Sequence, residues 1–368
     1  MVTKGTSTLW RVMIMMCFCM VSAIATAKSA DTTRVETSST IGSIRKTVRG
    51  FSAIDTAYIE PQHYNCALMV QTTYNLDMYW LRSGNGQEVM LSPDVVMRVG
   101  PYFGWRWLFL GYTFELKNIG VKDNKLKKEF ALSLYSSQIG VDLFYRRTGN
   151  DYKIRKACFD EGVDVSKLKN VEFDGLNVGI TGFNLYYIFN HNRFSYPAAF
   201  SQSTIQKVSC GSWLAGIGYT KQSLDLDHDK LSRVVEDKVG IDNVRIDSSL
   251  MFSKVKYSDV NVTCGYAYNW VFAKNWLFNA SLSVGVAYNS SKSDNEREHL
   301  DITNFSFKNV NLDGIGRFGI VWNNTHWYAG ASTIIHSYNY KKKQFSTNNS
   351  FGSLNIYVGV NFGRKRHH

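Results

Sequence analysis

Between Val260 and Trp270 the even-numbered positions are Val, Val, Cys, Tyr, Tyr and Trp, and the odd ones are Asn, Thr, Gly, Ala and Asn. After a short turn at Ala273-Lys274 the alternation resumes: Trp276, Phe278, Ala280, Leu282, Val284, Val286 and Tyr288 interleave with Asn279, Ser281, Ser283, Gly285 and Asn289. Strand side chains point to opposite faces with period two, so such a segment has one apolar face and one polar face. Trp and Tyr stand at the ends of the apolar row, where a lipid-facing strand meets the membrane interfaces. The pattern predicts an all-β fold, an antiparallel transmembrane β-barrel in the bacterial outer membrane.

The N-terminus predicts export. Lys4 and Arg11 form a basic region, Val12–Ala23 is an apolar run, and Ala25-Thr26-Ala27 is a small-x-small cleavage site. These are the parts of a cleavable signal peptide over 1–27. A lipoprotein signal would want a small residue before Cys17 or Cys19, where Met16 and Phe18 stand. The apolar run is also shorter than the ~20 residues that a retained helix needs. Past residue 28 no apolar run is long enough for a membrane helix. With 21 Tyr, 22 Phe and 9 Trp against only 4 Pro, composition favours strands.

Removing residues 1–27 leaves 40 basic against 30 acidic residues. In an exported barrel this excess fits loops and a tail beside anionic lipid headgroups. Nucleic acid is not expected as a partner, because no recognition helix or basic-aromatic motif accompanies the charge. Of the cysteines beyond the signal, Cys66 and Cys264 fall on the lipid-facing parity, Cys210 on the inward one and Cys158 in a long loop. That scatter predicts no disulfide.

Counting alternating segments predicts twelve strands, near 64–82, 87–103, 107–117, 128–136, 139–149, 173–190, 205–223, 247–270, 275–290, 305–322, 326–341 and 350–363. Ten or fourteen would also satisfy the even count of bacterial barrels. In the sixth, Leu176, Val178 and Ile180 give way to Phe183, Leu185 and Tyr187. That change of parity predicts a β-bulge at Gly182. If both termini are periplasmic, the inner turns near 104–106, 136–139, 191–204, 271–274 and 323–326 are short with one exception. The outer connections near 117–127, 149–172, 224–246, 290–304 and 341–349 are longer, as barrels require; only the turn at 84–86 breaks the rule. The expected organisation is a signal peptide (1–27), a polar periplasmic lead-in (28–60), one barrel domain (61–363) and a basic tail (364–368).

Two stretches resemble the DUF4421 family of exported Bacteroidetes proteins. One is Asp55-Thr56-Ala57-Tyr58-Ile59-Glu60-Pro61 leading into Tyr64-Asn65-Cys66-Ala67-Leu68-Met69; the other is Gly100-Pro101-Tyr102-Phe103-Gly104-Trp105-Arg106-Trp107-Leu108-Phe109-Leu110-Gly111-Tyr112. Val141-Asp142-Leu143-Phe144-Tyr145 is similar too. The resemblance implies an exported barrel across about 55–363 and brings no activity and no catalytic residues. Outer-membrane barrels commonly end on an aromatic residue read by the barrel-assembly machinery. Phe362 fits that role, but Gly363-Arg364-Lys365-Arg366-His367-His368 follows it.

The inward rows carry Asp77, Asp94, Arg98, Glu115, Asp142, Arg146, Asp313 and Arg317. Lining an open lumen, they would select small polar or charged solutes; paired with one another, they would plug it. Twelve strands lie between the ~8 whose interior fills and the ~16–18 of open porins. The expected function is therefore a narrow pore or solute transporter with a charged lumen. The alternative is a non-conducting surface scaffold that binds a partner through long outer loops.

Asp225, Asp227, Asp229 and Glu236 occupy positions 1, 3, 5 and 12 of a calcium-loop pattern, weakened by Lys230 where the turn wants Gly. No other cofactor is indicated. The chain lacks G-x-S-x-G, H-E-x-x-H, a P-loop and zinc-spaced Cys pairs. An outer-membrane lipid hydrolase would need Ser and His together on the outward face. Ser332 and His336 share a parity, but Trp327, Ala329, Ala331 and Ile335 take the greasier one. The expectation is no enzyme.

Overall fold

A computed structural model describes residues 54–105, 108–111, 114–115, 128–148, 151–159, 163–240, 246–247, 250, 254–292, 310–341 and 345–364. Every described residue belongs to one compact unit, Ile54–His368. The expected signal peptide, most of the lead-in and the end of the tail lie outside the described residues. Among the described residues eighteen strands run in order: β1 (Ile59–Pro61), β2 (Tyr64–Ser83), β3 (Glu88–Pro93), β4 (Met97–Trp105), β5 (Leu108–Gly111), β6 (Phe114–Glu115), β7 (Lys128–Tyr135), β8 (Ile139–Arg147), β9 (Tyr152–Cys158), β10 (Val171–Phe173), β11 (Leu176–Ile188), β12 (Thr204–Gln206), β13 (Cys210–Leu226), β14 (Lys254–Ala273), β15 (Trp276–Lys292), β16 (Val310–Asn323), β17 (Trp327–Lys341) and β18 (Phe345–Arg364). Among the described residues the α-helices α1 (Tyr196–Phe200) and α2 (His228–Val239) and a 3-10 turn at Ser166–Leu168 interrupt them. No helix among the described residues is long and apolar enough to cross a membrane.

Among the described residues all ladders are antiparallel. The main path is β10-β9-β3-β2-β18-β17-β16-β15-β14-β13-β11-β8-β7, with β4 on the lower half of β2 and β5 and β6 on β4. Four strands separate β8 from β16, which on a flat sheet would hold them about 24 Å apart at ~4.8 Å per strand. Yet Asp142 on β8 and Arg317 on β16 form an ion pair. Asp77 on β2 and Arg146 on β8, farther apart along the path, meet at 2.9 Å. The sheet is therefore rolled, with one face turned inward on itself. Among the described residues no ladder joins β5 or β6 to β7.

The two faces follow the alternation in the sequence. On β14, Val260, Val262, Cys264, Tyr266, Tyr268 and Trp270 are exposed, while Asp259, Asn261, Thr263, Gly265, Ala267 and Asn269 are buried. The twelve expected segments all contain strand, with four of them divided: 173–190 takes in the end of β10 as well as β11, and 205–223 takes in β12 and β13. Segment 87–103 breaks at 94–96 into β3 and β4, and segment 107–117 is carried by β5 and β6. The bulge expected at Gly182 is absent: β11 pairs with β13 and β8 through Gly182 without a register shift. One parity holds throughout β11, burying Leu176, Val178, Ile180, Asn184 and Tyr186. What changes along the strand is the environment of its inner face, which is apolar at the Leu176 end, polar at Asn184 and apolar again at Ile188.

At the end of the long connections, stretches expected as loops are structured. β3, β9, β10 and α2 form a cap whose core joins Leu91, Ile154, Leu168, Phe173, Leu231 and Val235 to Phe144, Tyr338 and Phe351 of the roll. Cys158 ends β9 rather than lying in a loop. The 341–349 connection narrows to 342–344, because β17 and β18 pair up to Lys341 and Ser346. At the opposite end, the long turn 191–204 folds inward as a plug around α1. Ser195 caps α1 by accepting from the Ala198 amide at 3.3 Å, and Pro197 fixes its first turn. The plug seats against β16 at Gly319, where a Cβ would stand 3.4 Å from the Ala199 carbonyl oxygen. β1 pairs with β12 beneath it. Leu231→Ala, which empties a fully buried position under the cap, should cost about 2–5 kcal/mol. Urea unfolding in detergent micelles should show the loss in the same transition that reports the roll.

Candidate functional site

The inner face is where sequence placed the chemistry, and most of the expected residues are there. Asp77, Asp142, Arg146, Asp313 and Arg317 are all buried. Arg146 Nη2 donates to Asp77 Oδ2 at 2.9 Å, and its guanidinium lies 5.2 Å from the centre of the Phe351 ring. Arg317 Nη2 donates to Asp142 Oδ2, which shares its carboxylate with the Ser133 hydroxyl at 2.7 Å. The Arg317 guanidinium also sits 4.6 Å from the Tyr186 ring centre. Both arginines are thus held by a carboxylate and an aromatic face, the two partners that suit a planar cation away from water. These four residues span the roll instead of lining a free passage.

The other expected residues differ. Asp94 is not on the inner face: it is exposed in the break between β3 and β4, bonded by Lys153 and Arg155 at 2.7 Å each. Those two cations hold its carboxyl below the usual carboxylate range. Arg98 is half-buried on the inward parity, opposite Thr73 and Glu115 in the ladders; the Glu115 side chain lies outside the described residues. Asp313 accepts from Asn261 Nδ2 at 3.3 Å and from the Asn339 amide at 3.2 Å.

The calcium-loop reading of Asp225, Asp227, Asp229 and Glu236 fails on geometry. Asp227 caps α2, its Oδ1 accepting from the Lys230 amide at 3.0 Å. Asp229 and Glu236 then lie on one helix, about 10 Å apart along its axis at ~1.5 Å per residue. Asp225 faces Lys254 at 3.5 Å. Among the described residues no three His, Cys, Asp or Glu gather as metal ligands. Ser332 and His336 are both buried on the inner face, as their parity predicts. Four residues along a strand, at ~3.3 Å each, are about 13 Å apart, too far for a base to reach a nucleophile. His336 instead stacks 5.2 Å from Phe351.

Sequence reasoning missed the plug. The Tyr196 hydroxyl meets that of Ser281 at 2.6 Å, and Gln202 Nε2 donates to the Tyr357 hydroxyl at 2.7 Å. Asn269 Nδ2 donates to the Ser195 carbonyl at 2.9 Å and to Gln206 Oε1 at 3.0 Å. The available signal was the length of 191–204, the single long turn at its end. Asp259 was missed too, one residue before the stretch where alternation is most regular. Around it the inner face is filled from both sides: Tyr257 stacks on Tyr340 with ring centres 4.3 Å apart, and Asn349 Nδ2 donates across the roll to Gln222 Oε1 at 2.8 Å. The void that Tyr79, Gln222, Tyr257, Thr347 and Asn349 enclose is no larger than one water.

A family model described as a domain of unknown function (DUF4421) matches residues 53–362. No curated protein matches the chain. Among solved structures, the outer membrane protease OmpT from Escherichia coli is similar at 7% identity, covering 84% of this chain and 100% of that one with a TM-score of 0.33. The Pseudomonas putida toluene transporter TodX is similar at 8% identity, with 83% and 91% covered and a TM-score of 0.21. OmpT, an outer membrane protein of Vibrio cholerae, is similar at 9% identity, with 79% and 97% covered and a TM-score of 0.22. None of these likenesses assigns an activity to this chain.

The buried pairs make a stability prediction. Asp142→Asn or Arg317→Met alone strands a buried partner and should cost about 3–5 kcal/mol. The double variant Asp142→Leu/Arg317→Met should recover most of that loss in equilibrium unfolding.

Proposed function

This chain belongs to the DUF4421 family, whose function is unassigned, and from its own geometry we propose an outer-membrane β-barrel with a closed interior, acting through its capped outer end. Export by the N-terminal signal, cleaved after Ala27, and insertion by the barrel-assembly machinery complete that reading. The outer face supports the lipid environment. Leu68, Val70, Ile217, Val262, Leu282, Val284, Leu312 and Val358 are exposed there, a surface far larger than a soluble monomer leaves bare. Val260–Trp270 has the length of a tilted membrane strand, ~9–11 residues. Phe189, Trp213, Tyr268, Trp270, Trp276 and Trp327 crowd its lower edge, as an aromatic girdle does at one interface.

The observation that carries the closed interior is that Asp77–Arg146 and Asp142–Arg317 bridge opposed walls. The plug and the cap core cover the two ends. With solute passage blocked, the remaining face for function is the cap, which presents Arg82, Lys153, Arg155 and Lys156 around Glu88 and Asp94. We read it as a surface scaffold for a partner at the cell exterior. A narrow pore or solute transporter is the second reading, favoured by one observation: beside its apolar contacts the plug meets the walls through hydrogen bonds to Ser281, Tyr357 and Asn269, which can exchange for water if it swings out.

Planar-bilayer recordings of the refolded mature protein separate the two. We expect silence, and steady conductance whose ion selectivity shifts on Arg146→Ala would overturn the closed reading. For the scaffold, replacing Lys153, Arg155 and Lys156 by Glu should abolish partner capture by intact cells while heat-modifiable folding persists; unchanged capture would remove the cap from the account.

A further inference from the structure

We propose that the outward face of β8, β13 and β14, just above the apolar band, binds the headgroup of a phosphate-bearing lipid of the outer leaflet, with Arg147, Lys221 and Lys256 supplying the charge. The inference rests on the outer-membrane reading and adds to it a ligand and a place on the wall. β7, β8, β11, β13, β14 and β15 are consecutive in the sheet, and their registers lay the outward residues out in rungs. One rung is Leu132, Leu143, Phe183, Tyr219, Val260 and Tyr288, apolar or aromatic throughout. On the next, Phe130, Tyr145, Thr181, Lys221, Ser258 and Ser290, the wall turns polar. Above it stand Lys128, Arg147, Gly179, Ser223, Lys256 and Lys292. These two rungs carry five cations and no acidic residue.

Like charges directly opposite one another across a ladder are destabilising. Yet Lys128 is opposite Arg147, and Lys256 is opposite Lys292. The nearest acid on this face, Asp225, lies one rung higher and is engaged by Lys254 at 3.5 Å. The rung therefore calls for an anion from outside the sheet. Its middle has the shape to admit one. Between Arg147 and Lys256, both exposed, stand only Gly179 and Ser223. A Cβ at Gly179 would meet nothing closer than the Ser223 Cβ at 3.9 Å. The result is a shallow saddle about 14 Å across at ~4.8 Å per strand, with a cation at each side and Lys221 at its foot.

Position selects a lipid as the occupant. The saddle is on the side wall, and below it the Phe183–Tyr219–Val260 rung continues into exposed Ile217, Val262 and Val286. The cation rung is four residues above Val260, about 13 Å along a tilted strand at ~3.3 Å per residue. Long basic side chains reach from there to the headgroup layer while their stems lie on apolar surface. An acyl chain laid on the rungs below brings its phosphate to the saddle. Arginine can grip that phosphate with two parallel hydrogen bonds, and lysine adds a point charge. A soluble anion would leave the apolar rungs unused.

The test uses the mature chain refolded into phosphatidylcholine vesicles that contain a small share of diphosphoryl lipid A, or of the same lipid stripped of its phosphates. Insertion is read by heat-modifiable mobility. Lipid A retained by the protein after extraction into a non-ionic detergent is read by mass spectrometry. We expect the phosphorylated lipid to be retained and the stripped one lost. Retention should fall about tenfold or more in Arg147→Gln/Lys256→Gln, since each basic residue near the surface adds to the attraction for anionic lipid. Lys167→Gln/Lys169→Gln, which removes the same charge from exposed positions beside Leu168 in the cap, should retain lipid as the wild type does. Millimolar inorganic phosphate should not displace it; displacement would make the ligand a free anion and overturn the lipid assignment. Normal insertion with equal retention of both lipids, or with no loss in Arg147→Gln/Lys256→Gln, would overturn the proposal and leave the outer-membrane reading standing. Failure to insert into either kind of vesicle would remove that reading, and this proposal with it.

Discussion

The architecture depends on how two guanidinium groups are kept away from water. A sheet with one polar face and one apolar face can place the polar face inward only if each inward charge meets its opposite, because an unpaired buried charge costs several kcal/mol. Asp142–Arg317 and Asp77–Arg146 meet that condition by joining strands far apart along the ladder. Each pair thus specifies how the sheet rolls as much as it stabilises the product. The aromatic faces of Tyr186 and Phe351 complete the shell around the cations. Around these pairs much of the filling is Asn, Ser, Thr and Tyr, with Asp313 held by hydrogen bonds from Asn261 and the Asn339 amide instead of by a cation.

Much of this was legible in the chain. Strict alternation in β14, β15 and β18 fixes which residues face out, because period two leaves no intermediate choice. The burial of Asp77, Asp142, Arg146, Asp313 and Arg317 followed from the same parity. What period two does not encode is the partner across the roll, so Arg146 and Asp77 could be placed on one face but not paired. It also misled at Gly182, where apolar residues change from inward to outward. A bulge and a change in what the inner face packs against give the same sequence pattern, and the structure has the second.

The ends were read least well, for a related reason. Asp94 carries the parity of its segment, yet the strand breaks there so that β3 can leave β4 and pair with β9. The acidic run at Asp225–Asp229 has the spacing of an ion-binding loop, yet Asp227 serves as a helix cap, a use that the same residues make equally available. In both cases a local pattern has two physical uses, and tertiary pairing decides between them.

The cap is rooted rather than attached. Leu231 and Val235 of α2, Leu168 and Phe173 share one apolar cluster with Phe144, Tyr338 and Phe351 of the walls. An outer segment of this kind cannot be exchanged like a flexible loop, since its anchoring side chains are also wall packing. Sequence change at this end is therefore partitioned by depth. The outermost layer is free to vary, and the layer beneath is bound to the frame, so the surface of this end can change without reopening the question of how the chain folds.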